Sequence, residues 1–259
     1  KYKKIRLELS AYDKTLIKKK EIIFFNKSDI LKKQSINEKL KQFKNKIKKK
    51  YLWRKYHDMA HYFCKGNGLE VGALCYPYLF NDDCSVKYAD IFENSKLRSI
   101  LDDVPLDNLY QKKLVDVEFI LKPPKFLLES VSENTFDFVY SSHVIEHTPN
   151  PISALNDQLR VTKPGGMIYA VMPNKKNTYD RTRKVTPSDI LINKFENSIF
   201  EHTIDEALDV VKNTDSHALD EPHKDNPLEY AKEIIKKKEG IHHFHTFDET
   251  NILEILIYL

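Results

Sequence analysis

A doubly wound α/β fold with a mostly parallel sheet is the architecture this sequence predicts. Three observations predict it. Short apolar runs that suit strands alternate with helical stretches between about residues 66 and 173. One run, Phe136–Ser142 (FDFVYSS), is nearly all apolar, as a strand buried on both faces is. The residues able to bind a ligand, Gly72, Asp90, Asp116, His143 and Asn174, fall where the strand runs end. Loops at the carboxyl ends of parallel strands form the ligand crevice of such folds.

Taken in order, residues 10–50 carry Leu16, Ile17, Ile22, Ile23, Phe24, Ile36, Leu40, Phe43 and Ile47 at roughly helical spacing. Residues 51–63 (YLWRKYHDMAHYF) continue as helix, so a basic helical appendage is expected over 1–60. The ligand-binding core is expected over 61–174. CKGNGLEVGALCYP reads as turn, strand and small-residue loop; Ser85–Asp90 is a second strand, Lys113–Ile120 a third and Phe136–Ser142 a fourth. Residues 151–163 form a helix that Pro164-Gly165-Gly166 stops, and MIYAVMP is the fifth strand. Polar helical text over 175–240 predicts a helical cap inserted after that strand. IHHFHTF returns to alternation, and Asp248 caps a last helix within 241–259, with one or two further strands expected beyond it.

The 259 residues are 41% hydrophobic and 31% charged, enough to bury a core and too apolar for global disorder. The net charge of +4 divides unevenly: residues 1–55 carry +15 and the remainder −11. The lysine-rich front is a solvated helix on the plain reading, with an anionic surface or nucleic acid as the alternative. Cys64, Cys75 and Cys84 have no paired spacing, so neither disulfides nor a zinc ribbon is expected. No apolar run reaches the ~20 residues a membrane span needs. Without a signal-peptide core near its start, the chain is expected to be cytoplasmic. It starts at Lys1 rather than Met, as a piece of a longer product would.

The chemistry lies in an ordered set. Glu70-Val71-Gly72-Ala73 puts an acid and a glycine at a strand tip, where a backbone can approach a ligand closely. Neither G-x-G-x-x-G nor G-x-x-x-x-G-K-[ST] is present. Twenty residues later Asp90 ends the next strand, where a carboxylate accepts ribose hydroxyls. Asp116-Val117 falls where an adenine edge can be met. His143-Val144-Ile145-Glu146-His147 matches the H-x-x-E-H zinc-peptidase signature, but Thr148-Pro149-Asn150-Pro151 leaves it only about one helical turn. A peptidase centre needs a regular helix and a third ligand, so no metal is expected. His243 and His245 alternate onto one side of an extended segment. Tyr179, Asp180, Arg181 and Arg183 follow the fifth strand, where an arginine fork suits an anionic acceptor. His202 and His217 are weaker candidates.

From Gly66 to Pro173 the chain resembles the class I S-adenosylmethionine-dependent methyltransferases. LEVGA, YAD, FDFVYSSHVIEH and VTKPGGMIYAVMP carry the resemblance. PNKKNTYDRTRKVTP, EHTIDEA and HHFHTFDETNILEIL look like a bacterial subgroup of surface-polysaccharide (capsule or O-antigen) biosynthesis. The resemblance implies a Rossmann-like core that binds S-adenosylmethionine and releases S-adenosylhomocysteine. Glu70, Gly72 and Ala73 would hold the methionine end, Asp90 with Ile91 the ribose, and Asp116 with Val117 the adenine. Ser142 and His143 would face the sulfonium. Leu74-Cys75-Tyr76-Pro77 stands where the family often has more glycines.

The activity so implied is O-methylation of a small polar acceptor, a sugar hydroxyl or a phosphate or phosphoramidate group, in surface-glycan synthesis. His143 and His147 are the catalytic candidates. Tyr179, Asp180, Arg181, Arg183, His243 and His245 are the acceptor-binding ones. A nucleic-acid methyltransferase working through the basic front, and a catalytically silent cofactor-binding scaffold, are the alternatives.

Overall fold

The computed structural model describes residues 21–26, 57–74, 77–103, 115–122, 124–215, 226–237 and 242–259. Within them the apolar runs assemble into a six-stranded sheet. Strands β2 (Gly66–Val71), β3 (Cys84–Asp90), β4 (Val117–Ile120), β5 (Phe136–Ser142) and β6 (Thr162–Met172) run parallel. Strand β1 (Glu21–Asn26) pairs antiparallel with β6 at the edge. The order is β1-β6-β5-β2-β3-β4. The chain therefore winds outward from β2 to β4, then returns to lay β5 against the other side of β2. The gap between β2 and β5 is the topological switch point, where such sheets open a crevice.

Helices α1 (His57–Phe63), α2 (Asn94–Asp103), α3 (Pro151–Val161), α4 (Ser188–Glu196), α5 (Ile204–Asn213), α6 (Pro227–Lys237) and α7 (Glu249–Tyr258) complete the described elements. Strand periodicity divides the core in two. Leu69, Val71, Val139, Ile168 and Ala170 pack with Ile152 and Leu155 of α3 and Ile252 and Ile255 of α7. Phe138, Tyr140, Tyr169 and Val171 point the other way, onto Ala60 and Cys64. That is why FDFVYSS lacks polar alternation: both faces of β5 are covered. Asn150 caps α3 by accepting from Ser153 N at 3.0 Å, with Pro151 in the first turn. Asp248 and Asn251 form a reciprocal cap on α7. Helices α5 and α6 share a smaller cluster of Ala207, Val210, Ala231, Ile234 and Phe244. No described helix is long and apolar enough to cross a membrane.

Four expectations are corrected. Helix was expected through residues 10–50, but Glu21–Asn26 is a strand. Its EIIFFN text is β-branched and aromatic, and the open edge of β6 offers it a partner. The rest of that basic region lies outside the described residues. The third parallel strand is shorter than Lys113–Ile120, beginning at Val117. Pro164-Gly165-Gly166 does not separate α3 from a strand; it lies inside β6, which starts directly at Thr162. The irregularity shows there as a register shift opposite Phe136–Phe138 and a φ of +82° at Gly165. Residues 242–247 form no strand, and only a bridge from Asn174 to Phe247 joins them to the β6 end.

Gly68, in the middle of β2, is covered by the Phe138 ring, which occupies the space a Cβ would need. Gly68→Ala is expected to cost about 1–3 kcal/mol by overpacking. Thermal melting checks this; an unchanged midpoint would contradict the packing.

Candidate active site

At the end of β2 the chain turns at Gly72, whose φ is +71° and whose N–H donates to Ala89 O at 2.8 Å. A Cβ on Gly72 would lie 2.6 Å from Val144 Cγ2, so the β2 loop and the β5 loop touch where only glycine fits. Leu74 also takes a positive φ, +49°, which aims its N–H at Asp90 Oδ2, 3.0 Å away. Asp90 Oδ1 accepts from Phe92 N at 3.2 Å. Burial pushes the Asp90 carboxyl up, and the Leu74, Phe92 and Ile91 N–H groups pull against that. Ala73 buries its methyl with Leu97 and Val115, so only its backbone serves the rim. Ile91 packs against the main core.

Glu70, one residue before the β2 end, is buried and accepts from Tyr78 N at 2.9 and 3.1 Å. Burial pushes its carboxyl up to about 8; the Tyr78 N–H lowers it and the nearby Asp90 charge raises it. No side-chain cation is paired with it among the described residues. A buried acid beside a close-approach glycine fits the ammonium of an amino-acid moiety, and Asp90 on the adjacent strand fits ribose hydroxyls. These residues suit S-adenosylmethionine, whose sulfonium methyl is the group such a cofactor brings.

Beyond β5 the sheet hydrogen bonding continues one residue, His143 N to Val171 O at 2.9 Å, and the chain then breaks away. His143 has a φ of +56°, uncommon for a residue with a side chain and found where a site dictates direction. Ile145–His147 form one 3₁₀ turn. Its centre is Glu146, fully buried, with neither carboxylate oxygen in a hydrogen bond. Three imidazole nitrogens approach Glu146 Oε1: His143 Nδ1 at 3.2 Å, His243 Nε2 at 3.6 Å and His147 Nε2 at 3.9 Å. Burial pushes the Glu146 carboxyl up, but the histidines, His143 foremost, more than reverse this and hold it below the usual range. His243 Nδ1 is bound by Asp180 Oδ2 at 2.6 Å, and His147 Nδ1 by His242 O at 2.8 Å. Tyr179 lies beside the His243 ring, 4.6 Å between centroids.

The structure gathers Glu70, Gly72, Asp90, Ser142 and His143 at the switch point, and brings His147, Tyr179, Asp180 and His243 around Glu146. Other candidates fall elsewhere. Asp116 precedes β4 and is exposed, while Val117 N is bound to Asn94 Oδ1. The expected strand ran too far back, and it is Ile120 that stands opposite Asp90, while Val117 packs beside Ala73 and Phe92. Arg183 is buried and committed: to Asp180 Oδ1 and Asp209 Oδ2 at 2.8 Å each, to Phe244 O at 3.0 Å and to His243 O. It shapes the site rather than receiving an anion. Arg181 is exposed and paired with Asp215. His245 does not share a side with His243, because the irregular segment lacks strand alternation. It lies buried with His202 and Glu206 in a second cluster, and burial brings its imidazole down to about 3. Asn174 caps its own turn through Lys176 N. His217 lies outside the described residues. Sequence reasoning missed Glu146 as the centre, although the motif spelled it out.

Residues 106–170 match the family model of the Methyltransferase domain, a quarter of the chain. Among curated proteins, the chain is similar to the GTPase Obg of Brachyspira hyodysenteriae, 52% identical over 50 residues. A second similarity is to GTPase Obg of Pelagibacter ubique, 52% over 46 residues. These stretches span 19% and 17% of the chain and only 7% and 14% of those proteins. Among solved structures it is similar to a provisionally named methyltransferase from Bacillus halodurans C-125, at 16% identity and TM-score 0.39, covering 77% of this chain and 64% of that one. A SAM-dependent methyltransferase from Aquifex aeolicus gives 16% and 0.32, covering 68% and 88%. The CurJ carbon methyltransferase gives 19% and 0.29, covering 41% and 29%. The matched domain and the parallel sheet with its switch point support a class I methyltransferase domain, and with it S-adenosylmethionine as the cofactor.

Glu70 gives a stability prediction. Its folded pKa of about 8 lies above the ordinary 4.5. The stabilisation this lends is therefore full below pH 4.5 and lost as the pH rises through 8. Glu70→Gln is expected to raise stability near pH 8 by roughly 1–3 kcal/mol and to change it little near pH 4. Denaturant melts at both pH values check this; equal shifts at both would contradict the buried-acid reading.

Proposed function

We propose that the protein is an S-adenosylmethionine-dependent methyltransferase whose acceptor is a small polar molecule carrying a hydroxyl or phosphoryl oxygen. The carrying observation is the meeting of two loops at the switch point. The β2 loop supplies Glu70, Gly72 and the Asp90 anchor, and the β5 loop supplies His143, with Val144 seated on Gly72. Glu70 would take the cofactor's ammonium, Asp90 its ribose hydroxyls, and Ser142 with His143 would border the sulfur. His143, its side chain about one-third exposed, would stand between that end of the cofactor and the buried histidine cluster. His147, His243 and Tyr179 would form the acceptor wall.

Aligning a donor carbon with an acceptor oxygen supplies much of the rate in such a displacement, up to roughly 7–11 kcal/mol in favourable cases. A neutral hydroxyl also needs help losing its proton, and the imidazoles around Glu146 suit that work at neutral pH. A precursor of a surface glycan such as capsule or O-antigen is the acceptor that the resemblance of the later segments favours. It supplies hydroxyls and anionic groups of the required kind.

Titration calorimetry with S-adenosylhomocysteine tests the reading. The intact protein is expected to bind it, with affinity at least tenfold weaker in Asp90→Ala. His143→Asn, a residue that tolerates the left-handed backbone, is expected to keep that affinity while losing methyl transfer to a panel of sugars and sugar phosphates. Absence of binding, or an Asp90→Ala variant that binds as tightly as the parent, would overturn it.

A further inference from the structure

Glu146 is a fully buried carboxylate whose neighbours are imidazoles rather than a lysine or an arginine. Its carboxylate is fully buried and neither oxygen accepts a hydrogen bond. A buried carboxylate needs a positive charge or a donor beside it. The atoms nearest to it are imidazole nitrogens, and two of these have been given fixed roles. Asp180 Oδ2 takes the proton on His243 Nδ1, and the His242 carbonyl takes the proton on His147 Nδ1. In the neutral form of each ring the remaining Nε2 is a lone pair, open to a proton or to a metal ion. Both lone pairs face Glu146 Oε1, at 3.6 and 3.9 Å. Lone pairs converging on a carboxylate repel unless a proton or a metal cation lies among them.

The geometry points to a divalent transition-metal site made by His143, Glu146 and His243, with His147 as a fourth ligand. The ligand atoms of the first three lie within 4.8 Å of one another. Zinc bonds to nitrogen and oxygen of about 2.0–2.1 Å place tetrahedral ligand atoms roughly 3.3 Å apart. The separations of 3.2, 3.6 and 3.9 Å around Glu146 Oε1 bracket that edge. Imidazoles with a carboxylate are a donor set for zinc and neighbouring divalent ions. The supporting shell is also built: Asp180 orients His243 and is itself clamped by the buried Arg183, the carboxylate–histidine arrangement that fixes metal-binding imidazoles.

The second histidine–carboxylate cluster makes the contrast plain. There Glu206 has a cation already, Lys194 Nζ, 2.7 Å from Oε1 and 2.9 Å from Oε2. Nothing comparable stands beside Glu146 among the described residues. The expectation of no metal rested on the single turn left to H-x-x-E-H and on the missing third ligand. The structure brings that ligand from His243, about a hundred residues on. The site deepens the proposed function and rests on it for one point only: with the imidazole lone pairs on the ion, the ion in place of an imidazole base would acidify a hydroxyl acceptor.

The test is calorimetric titration of the full chain, stripped by chelator, with Zn²⁺ alone, and visible spectra with Co²⁺. One equivalent is expected to bind, with affinity at least tenfold weaker in Glu146→Gln and in His143→Asn. Asp180→Asn should lose roughly 10–100-fold, the usual effect of removing a histidine's carboxylate partner. His202→Gln, in the other cluster, should bind as the parent does. No binding, or a folded Glu146→Gln that binds undiminished, overturns the site; should Glu146→Gln fail to fold, undiminished binding by His143→Asn does so. The two readings fail separately: Zn²⁺ binding without S-adenosylhomocysteine binding keeps the metal site and removes the methyltransferase, and the reverse pattern removes the metal site.

Discussion

The close approach of Gly72 to Val144 is the constraint on which the rest of the site depends. Two strands that are neighbours in the sheet but far apart in sequence end side by side, and their loops must diverge without leaving a gap. Gly72 turns at positive φ and gives its Cβ space to Val144. One loop then folds back so that Leu74 N reaches Asp90. The other is free to turn His143 into a left-handed conformation and start the 3₁₀ turn that buries Glu146. Both halves of the site thus follow from one steric contact at the switch point.

Charge compensation sets the second level of organisation. Arg183 binds two acids and two backbone carbonyls from within the protein. It ties the 180s loop to the 242–247 segment and, through Asp180, sets the His243 ring. Lys194 does similar work in the neighbouring cluster, where it meets Pro149 O, Glu201 O and Glu206. Buried cations of this kind are structural, and each is spent on a carboxylate. Glu70, Asp90 and Glu146 are the buried acids left without such a partner among the described residues, and all three stand at the proposed site. Groups that would be a burden to a merely stable protein mark where a ligand completes it.

The sheet was legible because strand burial leaves a direct trace in sequence. FDFVYSS is nearly all apolar because both faces of β5 are packed, and the strand pattern put Glu70, Gly72 and Asp90 at the ends of β2 and β3, where they stand. The N-terminal strand was not legible, since EIIFFN satisfies helical spacing within a longer lysine-rich run and only pairing with β6 decides it. Asp116 was placed within a strand that begins one residue after it, because the apolar text of Lys113–Ile120 does not show where pairing starts. Arg183 and His245 were read as ligand-binding because sequence shows a charge or an imidazole but not what it is already bonded to. Glu146 was passed over for the opposite reason. Its significance lies in His243, which arrives from a segment with no regular structure and no local signal of where it folds.

A crystal structure with S-adenosylhomocysteine bound tests the central claim most directly. The ribose hydroxyls are expected on the Asp90 carboxylate, the amino group at Glu70, and the sulfur in the space between the Gly72 loop and His143. A ligand seated away from the junction of β2 and β5, or one that leaves Asp90 without a ribose contact, would contradict it.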